Sequence, residues 1–596
     1  MEGSENNEQK FKRKRKKSFG RIVKKMRGDF KKLSRGVHIE EDTFNYFVRV
    51  LQLENQEFDS LDDKINFANN VLEQTVEHEV QYCSNQLVSR VLEKVLPLGH
   101  EGAISRFLEA FCKDLRIVCV DKYASHIIEA LLLLTSKVLY KTEDKTKMFI
   151  KPEKDTYAYN CFCFIIKVAK FMLNNLEEFV PSISGNHILR TLFFCLTGSI
   201  VENNNVKIDK EKLDTILLKD KIERYLVPND FMELFQEFIN RLTLWPQFSD
   251  LAFDSLTSAL LQSLLRNLNT VDSQQCNKII KKLLKKVYFK ENLNDFILLL
   301  ENNPSVHLLE CMIELVNDKL YSTLYEKCFS DNLPKLSKKE NINFTVQKLI
   351  NNCNSKEHLE KIVEQLSPIL FKVLQHRKTG VILSLCQACE RVGTKQADFI
   401  KALETTLNVN SEEKQDQLAL HTVKMVPYDG NTDVSKLPCN LHGSLILQSM
   451  LRFKKPIKVV KSLLSINSSE LAEIFCDIKG SHIGDTFLTA EFIGEKSRDK
   501  LLFHLVGTYA KLATSKSGSR FFDNIWKIAP PKFKIKITEE LSGSQEIYSS
   551  PFGKFITNSI GLSSFKHNRE EWKKALILKD KPKKLFADII GNLPVK

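Results

Sequence analysis

A six-residue phrase that keeps returning is the strongest constraint on how this chain can fold. After a small or apolar lead residue, often Gly, comes a polar residue (position one). A flat side chain follows (two), then two apolar residues (three and four) and a polar residue (five). The clearest copies are Val88-Ser89-Arg90-Val91-Leu92-Glu93, Ala124-Ser125-His126-Ile127-Ile128-Glu129 and Gly185-Asn186-His187-Ile188-Leu189-Arg190. Gly480-Ser481-His482-Ile483-Gly484-Asp485 and Gly518-Ser519-Arg520-Phe521-Phe522-Asp523 continue the series. Weaker copies place position one at Ser258, Val306, Asn343, Val381, Ser444 and Lys554, which makes eleven in all. Consecutive position-one residues stand 35–38 apart wherever no charged stretch intervenes, except that Val306 follows Ser258 by 48. A unit of that size is too small to bury a core of its own, so stacked helical units, a solenoid, are expected.

The rest of the sequence agrees. Apolar residues recur with helical spacing in Phe44–Leu53, Ile104–Leu115, Phe164–Leu176 and Leu359–Leu374, and no period-two alternation is sustained. A chain of 596 residues exceeds the ~250–300 at which a single core stops growing. The 21 Gly and 16 Pro are too few for a fold built of tight turns. The expected class is all-α. Three polar stretches, 136–157, 201–221 and 409–437, interrupt the rhythm and read as charged inserts.

Charge marks out the ends. The net charge is +14, of which residues 1–36 carry +10 and residues 566–596 carry +5, leaving −1 for the span 37–565. The run Lys12–Lys17 is expected to repel itself and to serve as a nuclear or nucleolar address, with the Lys579–Lys584 run as a weaker counterpart. The opening segment is polar and basic rather than a secretory signal. With 14 mostly isolated Cys, it suggests a reducing compartment and buried thiols. Cys161/Cys163 and Cys386/Cys389 are the only close pairs, without a partner pair at zinc-site spacing. Apolar runs such as Ala130–Leu134 are far shorter than the ~18–20 residues of a membrane span. No phosphate-binding glycine loop, His-Glu-x-x-His or Gly-x-Ser-x-Gly motif is present. Neither catalysis, a cofactor, a metal nor a small-molecule substrate is expected.

On a helix, positions one and five lie one turn apart on a shared face, with position two beside them. Two polar groups and one flat group at one spot suit an RNA base: the pair bonds its edge and the flat group stacks on it. Position two is occupied by Arg90, His126, His187, Ala259, His307, Phe344, Ile382, Leu445, His482, Arg520 and Phe555, and eight of these eleven are Arg, His or Phe. The candidate RNA-binding residues are Ser89, Arg90 and Glu93; Ser125, His126 and Glu129; Asn186, His187 and Arg190; Asn343, Phe344 and Gln347; Ser444 and Gln448; Ser481 and His482; and Ser519 and Arg520. Small lead residues would also let helices approach closely. Asp485 and Asp523 are left with three roles: accepting from a base amino group, orienting Arg520, or capping a neighbouring helix.

The array resembles the Pumilio (PUF) repeat family, and within it a divergent branch of nucleolar ribosome-assembly proteins. The resemblance covers about 45–575. It is carried by Asn85–Leu96, His442–Gln448, Lys479–His482, Ser517–Arg520 and Ser550–Gly553 with its continuation to Trp572. It implies a C- or U-shaped superhelix of about eleven three-helix repeats, RNA on the concave side, and binding of small-subunit ribosomal RNA precursor. By the family's base code, Ser89/Glu93 and Ser125/Glu129 would favour guanine, Asn343/Gln347 with Phe344 uracil, and Ser444/Gln448 adenine. The pairs Asn186/Arg190, Val306/Glu310, Val381/Leu385, Ser481/Asp485, Ser519/Asp523 and Lys554/Asn558 depart from that code, so mixed base and backbone recognition is expected. Pre-ribosomal proteins are expected partners of a monomer. A protein-interaction scaffold of the HEAT or armadillo type, or a Pumilio-type repressor of messenger RNA, is the alternative.

Overall fold

In a computed structural model, the described residues are 35–53, 58, 60–140, 151–199 and 225–578. The basic ends up to residue 34 and from 579, and the insert at 201–221, lie outside them. Among the described residues there is no strand, only an isolated bridge between Gly36 and Asn85.

Every copy of the phrase lies on an α-helix. We number these helices with one neighbour: α1 (Gln86–Val95), α2 (Ala124–Leu139), α3 (Ile183–Thr197), α4 (Ser255–Val271), α5 (Ser273–Leu283) and α6 (Asn303–Leu315). The series continues with α7 (Ile342–Asn351), α8 (Thr379–Val392), α9 (Leu441–Leu451), α10 (Ser481–Thr489), α11 (Lys516–Ile528) and α12 (Pro551–Ile560). All but α5 carry the phrase.

Two further helices precede each clear phrase helix. Glu101–Lys113 and Leu115–Val120 stand before α2, and Tyr157–Asn174 and Leu176–Phe179 before α3. Ile457–Ser465 and Ser468–Cys476 stand before α10, and Glu495–His504 and Tyr509–Thr514 before α11. The repeat is therefore a three-helix unit. The chain divides into two compact units, Met1–Val287 with Asn302–Leu315, and Tyr288–Glu301 with Val316–Lys596. In the first, α1, α2, α3, α4 and α6 pack side by side in order; in the second, α7 to α12 do the same.

The start of each phrase helix is fixed by a residue four before position one. Asn85, Asp121, Ser182, Asp254, Asn302, Asn440, Asp477, Ser515 and Ser550 each accept from the lead residue's backbone N–H, in nine of the eleven copies. These are the residue types that satisfy the unpaired N–H groups of a first turn. The exceptions are Lys339 and Arg377, ahead of α7 and α8.

The lead glycine has a steric cause. A Cβ on Gly480 would lie 2.0 Å from the Ile474 carbonyl oxygen, and one on Gly553 2.1 Å from that of Ile547. In both repeats that carbonyl is six residues upstream, at the end of the preceding short helix. Only a residue without a side chain lets the two backbones come this close. Positions three and four supply the core, as in Val91, Leu92, Ile127, Ile128, Ile188 and Leu189.

The stretch 409–437 departs from a plain loop. It contains the helix Leu418–Lys424, all of whose residues are buried. Ser462 ties it down, its Oγ accepting from Ala419 N–H and donating to the Asp416 carbonyl. The charged residues that suggested a loop flank a short apolar core segment.

Candidate nucleic-acid interface

The phrase helices line up their second positions. Arg90, His307, Phe344, His482, Arg520 and Phe555 are exposed, while His126 and His187 are half-buried. Phe344 is 60% and Phe555 70% exposed, unusual for side chains that would gain from burial. Ile382 is the opposite case at 0%, so α8 contributes no flat group to the row. Each unit thus carries a line of cationic and aromatic faces above its apolar core.

Position one is not open in the way its helical phase suggested, and this corrects the expectation for seven residues. Ser89, Ser125, Asn186, Asn343, Ser444 and Ser481 are buried and Ser519 is half-buried. Neighbouring phrase helices stack so closely that this edge of each helix is covered. Ser89 Oγ donates to the Tyr123 carbonyl at 2.9 Å, Ser258 Oγ to Pro304 at 2.7 Å and Ser444 Oγ to Lys479 at 2.6 Å. In all three the acceptor is two residues before the next position one, so the serine staples one repeat to the next. Ser125, Ser481 and Ser519 donate instead to carbonyls three residues back, those of Lys122, Ile478 and Lys516. Asn186 Nδ2 donates to the Val180 carbonyl, and Asn343 Nδ2 to that of Glu340.

Position five comes to position one as the helical spacing requires. Gln262, Gln347 and Gln448 donate from Nε2 to Ser258 Oγ, Asn343 Oδ1 and Ser444 Oγ at 3.2, 2.8 and 3.1 Å. Glu93 and Arg190 are half-buried. Glu129 is buried, 3.4 Å from His126 Nδ1, and accepts from Thr191 Oγ1 of α3 at 3.2 Å. Its carboxylate is engaged between helices rather than presented outward.

Around α10 and α11 the elements knit together. Arg520 Nη2 donates to Ser481 Oγ at 3.0 Å, to His482 Nδ1 at 3.2 Å and to Asp485 Oδ2 at 2.9 Å. Asn524 Nδ2 holds the other carboxylate oxygen of Asp485 at 2.8 Å. Of the three roles open to Asp485, orienting Arg520 is the one observed. Asp523 has no such partner; burial raises its pKa against the opposing pull of Lys527.

The sequence reading missed position six. Thr191 and Asn524 both occupy it, and both bond the position-five carboxylate of the preceding repeat. A polar residue directly after position five, opposite an acid one repeat earlier, was the signal available. Eleven of the 14 cysteines are buried, and burial raises thiols such as Cys161 and Cys389 to about 12, which keeps them protonated. Among the described residues no cluster of His, Cys, Asp or Glu is arranged to hold a metal, and no helix is long and apolar enough to cross a membrane.

The sequence matches the NOP9-like PUF repeat domain over residues 77–555. The chain belongs to this family. Similar proteins include Nucleolar protein 9 of Mus musculus, 25% identical over 93% of this chain and 91% of that one. Nucleolar protein 9 of Homo sapiens is 24% identical over 90% and 88%, and Pumilio homolog 23 of Arabidopsis thaliana 21% identical over 93% and 75%. The solved structure of APUM23-GGAGUUGACGG shares the fold, with a TM-score of 0.69, 21% identity, and coverage of 90% of this chain and 99% of that one. The divergent PUF solenoid anticipated from the phrases is thus the fold observed, and the family places the chain among RNA-binding proteins of ribosome biogenesis.

Proposed function

We propose that this protein binds small-subunit (18S) pre-ribosomal RNA, largely single-stranded, and assists or times its processing in the nucleolus. The observation that carries this reading is the set of exposed His, Arg and Phe at position two of six of the eleven phrase helices. A line of π-faces and cations set above a rigid core takes successive bases by stacking, at ~1–3 kcal/mol each. Basic segments at the two ends, 1–36 and 566–596, would add salt-dependent affinity and nucleolar addressing. Relatives named Nucleolar protein 9 support that address. APUM23 has been solved with GGAAUUGACGG and GGAUUUGACGG, whose uracils mark them as RNA.

Recognition combines few base readings with more stacking and backbone contact. Asn343/Gln347 with Phe344 and Ser444/Gln448 remain the best candidates for base-edge contact, because their position-five amides are only half-buried and pair with position one. The protein acts as a monomeric binder without catalysis of its own, alongside pre-ribosomal particle proteins.

The test is a binding titration of the full chain against single-stranded 18S precursor fragments and a scrambled control. Phe344→Ala/Phe555→Ala is expected to weaken the preferred fragment by about tenfold or more while leaving the melting temperature unchanged. Equal binding of fragment and scramble, or indifference to the double substitution, overturns the reading.

A further inference from the structure

The lysines of α5 are notable for their density, five within nine residues with no acid between them. Several other lysines outside the phrase helices face carboxylates: Lys361 with Glu357 at 3.0 Å, Lys458 with Glu404 at 3.2 Å, Lys511 with Glu473 at 2.8 Å and, just before a helix, Lys395 with Glu364 and Asp398 at 3.3 Å. α5 and the turn of π-helix after it, Leu284–Tyr288, contain Lys278, Lys281, Lys282, Lys285 and Lys286 and no acidic residue. Lys282 donates to the Thr243 carbonyl and lies over the Phe248 ring. Lys278, Lys281, Lys285 and Lys286 are exposed, and none has an acidic partner among the described residues.

Like charges three and four residues apart destabilise a helix. Five lysines in nine residues therefore repel one another, and among the described residues no carboxylate offsets the four exposed ones. Their direction is fixed by the opposite face. Cys276, Ile279, Ile280 and Leu283 are buried against α4, with Cys276 Sγ 3.4 Å from the Leu265 carbonyl. The four open lysines thus point away from the helix that carries Ser258, Ala259 and Gln262. They form a second cationic surface, separate from the row of flat side chains.

The chemistry of this face selects its ligand. Surfaces for single-stranded RNA interleave cations with exposed aromatic rings on which bases stack. Here Tyr288 is buried, and Lys327 lies over the Phe289 ring. Lysines without stacking platforms suit a base-paired segment, whose bases are hidden and whose phosphates are the accessible feature. We propose that the lysine face of α5 binds the phosphate backbone of a base-paired RNA segment that flanks the single strand held by the phrase helices. The proposal rests on the RNA-binding reading above.

The test uses the full chain and two probes: GGAAUUGACGG alone, and the same strand extended by a stem-loop of about 16 base pairs. In wild type the stem is expected to add affinity. Lys278→Ala/Lys281→Ala/Lys285→Ala/Lys286→Ala should remove at least tenfold of it and flatten the slope of log K against log salt by about 3. The strand alone should bind as before, and the matching set of four Lys→Arg changes should retain the stem's contribution. A stem that adds nothing in wild type, or equal losses on both probes, overturns the proposal. Competition by polyglutamate against wild type but not the variant, with no stem effect, would make the face a site for acidic protein instead. Failure of wild type to bind either probe would remove the RNA reading itself.

Discussion

Arg90 and Arg520 hold the same place in the phrase, on α1 and α11, and are used differently. Arg90 is exposed and makes no hydrogen bond or ion pair among the described residues. Arg520 is drawn back across the preceding repeat, where it bonds Ser481, His482 and Asp485 together. The position-one serines below them also differ. Ser89 bonds forward to the next repeat, whereas Ser481 bonds the turn before its own helix and accepts from Arg520. One end of the array is stapled beneath the surface and leaves its arginine open. The other is tied together at the surface, and its arginine neutralises a carboxylate that would otherwise repel phosphate.

The largest effect should come from the helix starts. Gly480→Ala is expected to cost about 1–3 kcal/mol or more, because its Cβ would collide with a backbone carbonyl. Ala124→Gly, at the same place in α2, should cost only about 1 kcal/mol of helix propensity. Urea denaturation would show both, and equal losses would mean the two repeats start alike.

Next comes RNA affinity. Arg520→Ala is expected to lower it by about tenfold to a hundredfold, through a lost stacking group and a bared Asp485. Asp485→Ala in the same chain should restore much of that loss, with a coupling of about 0.5–3 kcal/mol. Arg90→Ala should weaken binding by about tenfold, without rescue by Glu93→Ala. Two double-mutant cycles by anisotropy settle it; a null coupling at 485/520 would break the comparison.

A smaller contrast concerns the serines. Ser89→Ala removes the bond between repeats, leaving the Tyr123 carbonyl only the His126 N–H, and should cost about 1 kcal/mol. Ser481→Ala should cost about 0.5 kcal/mol, since it loses a long bond to the turn before its own helix and an exposed one from Arg520, yet it should weaken RNA binding by loosening Arg520. Thermal melts with parallel titrations separate the two effects.

The smallest effect is electrostatic. Burial raises the pKa of Asp523, so its ionisation opposes folding. That penalty is absent at pH below the ordinary aspartate range and fully present above the raised value. Asp523→Asn should therefore slightly raise the melting temperature at neutral pH and leave it unchanged in acid.

Much of this was legible without coordinates. The helical placement of the phrases is local: in nine of the eleven, a helix-capping residue, a lead position and two core residues lie within eight positions of one another. The missed helix Leu418–Lys424 shows the limit, for it is short, flanked by charge, and stabilised by Ser462 from a distant helix. Six of the eight flat or cationic second positions are exposed, as a residue beside rather than within the apolar pair would be, while His126 and His187 are half-buried.

The sequence by itself determined an all-helical stacked array and where its phrase helices lie, because helical period and capping act over a few residues. Only the tertiary structure decided which polar groups remain available to a ligand. Ser89 meets its acceptor 34 residues away and Arg520 reaches a serine 39 residues back. Those partners are set by how one helix stacks on the next, which no single phrase encodes.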